Sequence, residues 1–380
     1  MKDKKIGIIT FHNAHNYGAM LQVYALQEAL TKYDTKVIDF KNPGIEKAYK
    51  PFRINTKNPV TLVRSLIAST FYYKRNKLRY KKFNNFMNEK LKLTREYKTE
   101  LELKENAPNC DIYITGSDQV WNYEISHGNI DAYTLNFGPD SVKRISYAAS
   151  IGTKELNPKH KEEYINNINN IDCISVREET AKTYLEKLLI NRNIETTLDP
   201  TLLLEKEKWE ELCNESEQKQ EKEKYILAYV LTDDPEYYKI VNYLSQKTGL
   251  KVIHFKRKDM GINNILRNAN TDGPIEFINL IKNAEYVIAT SFHATVFSII
   301  FNKKFWVIPP KKIGSRITNL LKMLNIDERA ASSLKDFKNV NYDKDINYED
   351  VEKILKAKKE ESIKFLEKSI NGEILWGRIY

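Results

Sequence analysis

Five polar blocks, each directly after an apolar run, hold the side chains best suited to chemistry. Phe11 to Gly18 contains Asn16, Tyr17 and Gly18 in a turn that opens a helix. Such a turn can offer backbone N–H groups to an anion. It is neither GxGxxG nor a P-loop lysine motif, so a dinucleotide or Walker site is not indicated. The second block is Gly116-Ser117-Asp118-Gln119-Val120-Trp121-Asn122. Asp118 there can act as a base or fix a sugar hydroxyl, although Ser and Asp are equally good helix caps. In the third, Arg177 precedes Glu178 and Glu179. Its planar fork suits a carboxylate or phosphate, and its alternative is an ion pair with a neighbouring glutamate. In the fourth, Thr290 and Ser291 lead into Phe292-His293. A histidine in the first turn of a helix is a candidate general acid or base, the alternative being a capping or core residue. The fifth runs from Pro309 through Lys311, Lys312 and Gly314 to Arg316. It reads as a phosphate cradle or as a solvated charged loop. No grouping has metal-ligand spacing, so no metal is expected. Cys110, Cys173 and Cys213 stand apart, which suits reduced thiols in a cytoplasmic setting.

These blocks need strands that end beside them. Strands are expected at Lys5–Thr10, Lys36–Phe40, Asp111–Thr115, Arg144–Ala149, Cys173–Val176 and Glu195–Leu198. A second series follows at Tyr225–Leu231, Lys251–Phe255, Tyr286–Ala289 and Phe305–Ile308. Helical patterns lie between them, at Tyr17–Tyr33, Glu178–Leu189, Pro235–Gln246, Pro274–Asn283 and His293–Phe301. Alternation of this kind implies parallel βαβ units, and open parallel sheets bind ligands beyond the carboxyl ends of their strands. The expected architecture is α/β, with two doubly wound Rossmann-like domains at 1–200 and 201–345 and a helical tail at 346–380 packing across them. An insert at about 42–109 carries a long helical pattern, Val60–Leu91. Its Phe71–Lys82 portion is basic and lacks acids. That helix can lie on an anionic membrane or polymer, or pack its aromatics on the domain beneath.

The 380 residues include 61 Lys and Arg against 51 Asp and Glu, a net charge of +10 that favours anionic partners without choosing among them. No run is long and apolar enough to span a bilayer, and no nucleic-acid motif is present, so nucleic acid is not an expected partner.

Six blocks in order carry a resemblance. They are Asn16-Tyr17-Gly18-Ala19-Met20-Leu21-Gln22, the Gly116–Asn122 block, Ser146-Tyr147-Ala148-Ala149-Ser150-Ile151-Gly152, Ser175-Val176-Arg177-Glu178, Leu198-Asp199-Pro200-Thr201 and Ser291-Phe292-His293. Together they resemble the polysaccharide pyruvyl transferase family. The resemblance implies two domains facing a cleft, as in GT-B glycosyltransferases. It also implies transfer of the carboxyethylidene group of phosphoenolpyruvate to two hydroxyls of a sugar, with no cofactor. His293 takes the place of the family's acid/base and Arg177 that of its donor-binding arginine. A basic residue beyond the histidine is also implied, with Lys311, Lys312 and Arg316 all eligible. Ser291 is a further donor-side candidate. Asn16, Tyr17, Gly18, Ser117, Gln119, Trp121 and Asn122 are expected to line the acceptor side. Some relatives carry arginine and leucine ahead of the histidine, where this chain has Ser291 and Phe292. The acceptor would be a cell-surface glycan or its precursor, lipid-linked or polymeric, reached from the cytoplasm or the inner membrane face. Two other readings remain open: a nucleotide-sugar glycosyltransferase of the same architecture, and a non-catalytic basic protein that binds acidic polymer, anionic membrane or nucleic acid.

Overall fold

The computed structural model describes residues 4–54, 56–231, 234–256, 261–310 and 314–373. The chain divides into two compact units, one of Met1–Leu204 with Lys358–Tyr380 and one of Glu205–Ala357.

The first unit is built on seven parallel strands. In chain order they are β1 (Lys5–Ile9), β2 (Asp34–Phe40), β3 (Leu93–Tyr97), β4 (Ile112–Thr115), β5 (Lys143–Ala149), β6 (Cys173–Val176) and β7 (Ile194–Thr196), and across the sheet they run β3-β2-β1-β4-β5-β6-β7. The central strands are near-continuous apolar runs, as a sheet covered on both faces requires: all of β4 and β6 is buried. The second unit repeats the plan with β8 (Tyr225–Tyr229), β9 (Lys251–His254), β10 (Ile265–Asn268), β11 (Tyr286–Ala289) and β12 (Lys304–Val307), ordered β10-β9-β8-β11-β12. Every pairing in it is parallel. Both sheets reverse direction of strand order beside their first strand, at β1/β4 and at β8/β11. These are the topological switch points where ligands of doubly wound sheets bind.

Two strands had no counterpart in the sequence reading, β3 and β10. Both are edge strands, and each carries an arginine with an acid or amide where an interior strand would be apolar. Because β3 completes the first sheet, the segment after residue 42 is part of the core architecture as well as an insertion. The single helix expected over Val60–Leu91 is two, Pro59–Phe71 and Tyr73–Lys90, broken at Tyr72. The second helix buries Phe83, Phe86 and Met87, whereas Phe71 and Leu78 stay exposed.

The last helix is Tyr348–Asn371. Its start belongs to the second unit, where Tyr348 Oη donates to the Lys303 carbonyl. Its end belongs to the first, where Ser362 Oγ accepts from the Leu198 N–H at 3.0 Å and Phe365, Leu366 and Ile370 are buried.

Candidate functional site

At the switch point of the first sheet, β4 runs into Gly116-Ser117-Asp118. Asp118 adopts φ +88°, and Ala148, within β5, adopts φ +50°. Asp118 pairs with Ala149 in an isolated parallel bridge, and the β5–β6 register shifts between Ser146 and Ala149. Left-handed backbone at non-glycine residues costs energy that the surrounding structure must supply, and it concentrates at working sites. Here it leaves Asp118 half-buried at the strand end.

Next to it lies a buried charge network. Arg177 Nη1 donates to Asp199 Oδ2 at 2.8 Å and to Ser117 Oγ at 3.2 Å. Its Nε lies 3.6 Å from Glu178 Oε1. Ser117 Oγ donates to Asp199 Oδ2 at 2.9 Å, and Ser150 Oγ to Glu178 Oε1 at 2.6 Å. The other oxygen of Asp199 accepts from the N–H and hydroxyl of Thr201. Burial pulls the Arg177 guanidinium down, but Glu178, Asp199 and Asp118 outweigh it and hold it above the ordinary arginine value. Arg177 is therefore a fixed cation: the ion pair with a neighbouring glutamate that the sequence offered is present at Glu178, and a shorter one joins it to Asp199.

The remaining residues expected on the acceptor side have clear local duties. Asn16 Oδ1 accepts from the N–H groups of Gly18 and Ala19, so the start of the Tyr17–Ala29 helix is capped by its own chain. Tyr17 and Gly18 are buried, and the Tyr17 hydroxyl accepts from Arg79. Trp121 is fully buried and donates to the Tyr133 carbonyl at 3.1 Å. Asn122 caps the short Tyr123–Ser126 helix. Gln119 packs against Gly152, where φ is +71° and a Cβ would fall 2.0 Å from Gln119 Oε1.

A cavity of about 240 Å³ opens beyond the carboxyl ends of β1 and β2, lined among others by Asn13, His15, Tyr49, Tyr80 and Asn84. His15 stacks on Tyr49 at 5.5 Å and on Phe83 at 5.1 Å, and its Nε2 meets Asn84 Oδ1 at 3.2 Å. Burial first, with Arg79 also acting, lowers His15 to about 4 against the Asn84 hydrogen bond. The ring is neutral at pH 7. Burial first, and the Asp118 carboxylate with it, raise the Tyr49 phenol, while Arg79 and Arg53 oppose them. The charge of Asp118 is thus felt at the cavity wall. Asn13 is 7% exposed, and neither atom of its side-chain amide has a partner. The lining combines aromatic faces, an amide and balanced charges, Lys41 and Lys50 against Glu46 and Glu96. Sequence reasoning missed this cavity, because its walls come from four separate stretches of chain.

In the second unit, β11 leads through Thr290 to Ser291, whose hydroxyl caps the Phe292–Ile300 helix. Thr290 Oγ1 accepts from the Leu231 N–H at 2.9 Å, which ties the turn to the end of β8. His293 stands in the first helical turn and is 7% exposed. Its ring meets Phe292 edge-on at 5.2 Å, and Arg316 Cζ lies 5.9 Å from the Phe292 ring centroid. The structure thus gathers His293, Ser291 and Arg316 around Phe292 at the second switch point. Lys311 and Lys312 lie outside the described residues.

A family model for polysaccharide pyruvyl transferases matches residues 16–312. The chain belongs to that family. This pyruvyl transferase family member shares its fold with a UDP-GlcNAc 2-epimerase. A UDP-GlcNAc 2-epimerase from Neisseria meningitidis, bound to UDP-GlcNAc, superposes with a TM-score of 0.53 at 11% identity, covering 97% of this chain and 100% of the other. An enzyme of the same name from Methanocaldococcus jannaschii gives 0.49 at 14% identity over 93% and 99%. An O-GlcNAc transferase mutant from Thermobaculum terrenum gives 0.48 at 10% identity over 97% and 66%. At such identities the first of these shows the GT-B type of fold and nothing finer. No curated protein matches this family member in sequence.

Proposed function

We propose that the chain moves the carboxyethylidene unit of phosphoenolpyruvate onto two hydroxyls of one sugar, giving a pyruvate ketal and free phosphate. The observation that carries this reading is the family match over residues 16–312. The cluster around Phe292 supports it chemically. The donor carries a phosphate and a carboxylate, and Arg316 supplies a guanidinium over the Phe292 ring, next in sequence to His293, in a chain that has serine where some relatives have arginine.

In this mechanism His293 delivers a proton to the methylene carbon, which becomes the methyl group. The positive charge that develops at the adjacent carbon is taken up by the first sugar oxygen as its C–O bond forms. The second sugar oxygen then attacks the same carbon as its bond to the phosphate oxygen breaks. One hydroxyl proton ends on the methyl group by way of the acid/base, and the other leaves with phosphate. The imidazole left by that first transfer accepts the proton of the first hydroxyl and so regains its own; Asp118, on strained backbone in the first unit, is the other candidate base. Within the first unit, the cavity beside Tyr49 offers the Asn13 amide to sugar hydroxyls. Arg177, bound to Asp199 and Glu178, acts here by holding the β4 and β6 ends in place. The acceptor is a cell-surface glycan or its precursor. A lipid-borne acceptor would place the reaction at the inner face of a membrane.

The test is phosphate release from phosphoenolpyruvate against a panel of sugar acceptors, with product mass confirming the gained pyruvyl unit. His293→Ala should lower turnover by about 10²–10⁴-fold with an unchanged melting temperature. A chain that releases no phosphate with any acceptor, and is stabilised by a nucleotide sugar but not by phosphoenolpyruvate, is a glycosyltransferase instead.

A further inference from the structure

The basic excess is concentrated in one place. Between Lys47 and Asn88 the sequence holds eleven Lys or Arg and no Asp or Glu. Removing those eleven from 61 leaves 50 bases against 51 acids, so the rest of the chain is almost neutral. A compositional bias spread over the whole chain would not do this.

The same segment exposes apolar surface. Thirteen large apolar side chains are exposed among the described residues, and nine of them lie within residues 52–78. On the Pro59–Phe71 helix, Val60, Val63, Ile67 and Phe71 recur at spacings of three and four and form one stripe. A surface helix normally turns such a stripe inward. Here Ile67 is 65% and Phe71 78% exposed, and Ser69 is the helix's one buried residue. The helix is held instead by polar contacts. Asn58 and Thr61 form its capping box, and Ser69 Oγ exchanges hydrogen bonds with the N–H and carbonyl of Arg53. The following helix, Tyr73–Lys90, packs inward through Phe83, Phe86 and Met87, with Arg79 lying over Tyr17 and Phe83. Its outer face presents Lys74, Lys77 and Lys81, again three and four residues apart and all exposed.

We propose that this helix pair docks on an anionic lipid bilayer, the apolar stripe entering the headgroup–acyl boundary and the lysine row meeting lipid phosphates. A bilayer with negative headgroups offers both partners at once. Nucleic acid and acidic polymer match the lysines and leave the apolar stripe in water. A second copy of this chain brings the same positive charge to the contact and is repelled. No described helix is long and apolar enough to cross a membrane, so the contact is peripheral. The docking holds whether or not the chain transfers pyruvyl groups.

Vesicle flotation of the full chain tests this. The protein should rise with vesicles of mixed phosphatidylcholine and phosphatidylglycerol and stay down with phosphatidylcholine alone. Exchanging Lys74, Lys77 and Lys81 for Glu should weaken binding by about a hundredfold, at about fivefold per lysine. The pair Ile67→Asp and Phe71→Asp should weaken it as strongly. Since these side chains touch no core, the variants should keep the wild-type melting temperature. Failure to float with anionic vesicles overturns the proposal. So does flotation indifferent to the aspartates, or duplex DNA binding without vesicle binding. A dimer that the aspartates dissociate, in a protein that does not float, overturns it in favour of self-association.

Discussion

Arg177 holds its charge with a side chain 2% exposed, opposite the fully buried Asp199. Removing one partner of such a pair strands the other in low dielectric, at a cost of about 3–5 kcal/mol. Arg177→Ala should lose stability on that scale in denaturant unfolding, and a variant of unchanged stability would show that water or another cation compensates. His15 gives a pH dependence. Its ring titrates at about 4 when folded and near 6.5 when unfolded, so between those values the unfolded chain binds more protons and acid favours it. From pH 7 to pH 5 the group removes about 2 kcal/mol of stability. His15→Asn should flatten that slope, which unfolding curves at the two pH values measure. The sequence pointed to both the Arg177 and the His293 blocks, because polar residues directly after apolar runs stand out in any α/β chain. It did not disclose that Asp199, known only as part of the Leu198–Thr201 block, is the partner of Arg177. The two are 22 residues apart, and only the pairing of β6 with β7 brings them together.

At the scale of elements, most strands were legible to within two residues, because buried parallel strands are runs of Ile, Val, Leu and Tyr. Cys173–Val176 and Tyr286–Ala289 have the expected bounds. The edge strands β3 and β10 were not legible, since one flank faces solvent and tolerates charge. The break at Tyr72 was also hidden: apolar spacing continues through it, and neither glycine nor proline marks it. Gly314 offers a test at this scale. A Cβ there would lie 2.6 Å from the Pro310 carbonyl oxygen and 2.9 Å from Pro309 Cβ, so the start of the Ser315–Met323 helix must move to admit it. Overpacking of this sort costs about 1–3 kcal/mol. Gly314→Ala should displace Arg316 and raise the phosphoenolpyruvate concentration needed for half-maximal phosphate release several-fold. An unchanged value would separate Arg316 from donor binding.

For the molecule as a whole, the two-sheet plan followed from the alternation of strand and helix patterns. The final helix reads as a tail lying across the domains, but its charged pattern did not reveal which of its residues would be buried. Ser362 marks the return of the chain to its first unit, by accepting from Leu198 across 164 positions of sequence. Ser362→Ala leaves a buried N–H without its acceptor, at a cost of about 1–3 kcal/mol. The loss should appear in the unfolding of the first unit, read by a probe placed there. The return also sets an order of events during synthesis. Domains generally fold as units, N-terminal first, while the ribosome is still translating. Here Phe365, Leu366 and Ile370, buried parts of the first unit, leave the exit tunnel after every residue of the second. The earlier-made unit must therefore wait, with part of its apolar surface open to chaperones, until the later one has already been produced.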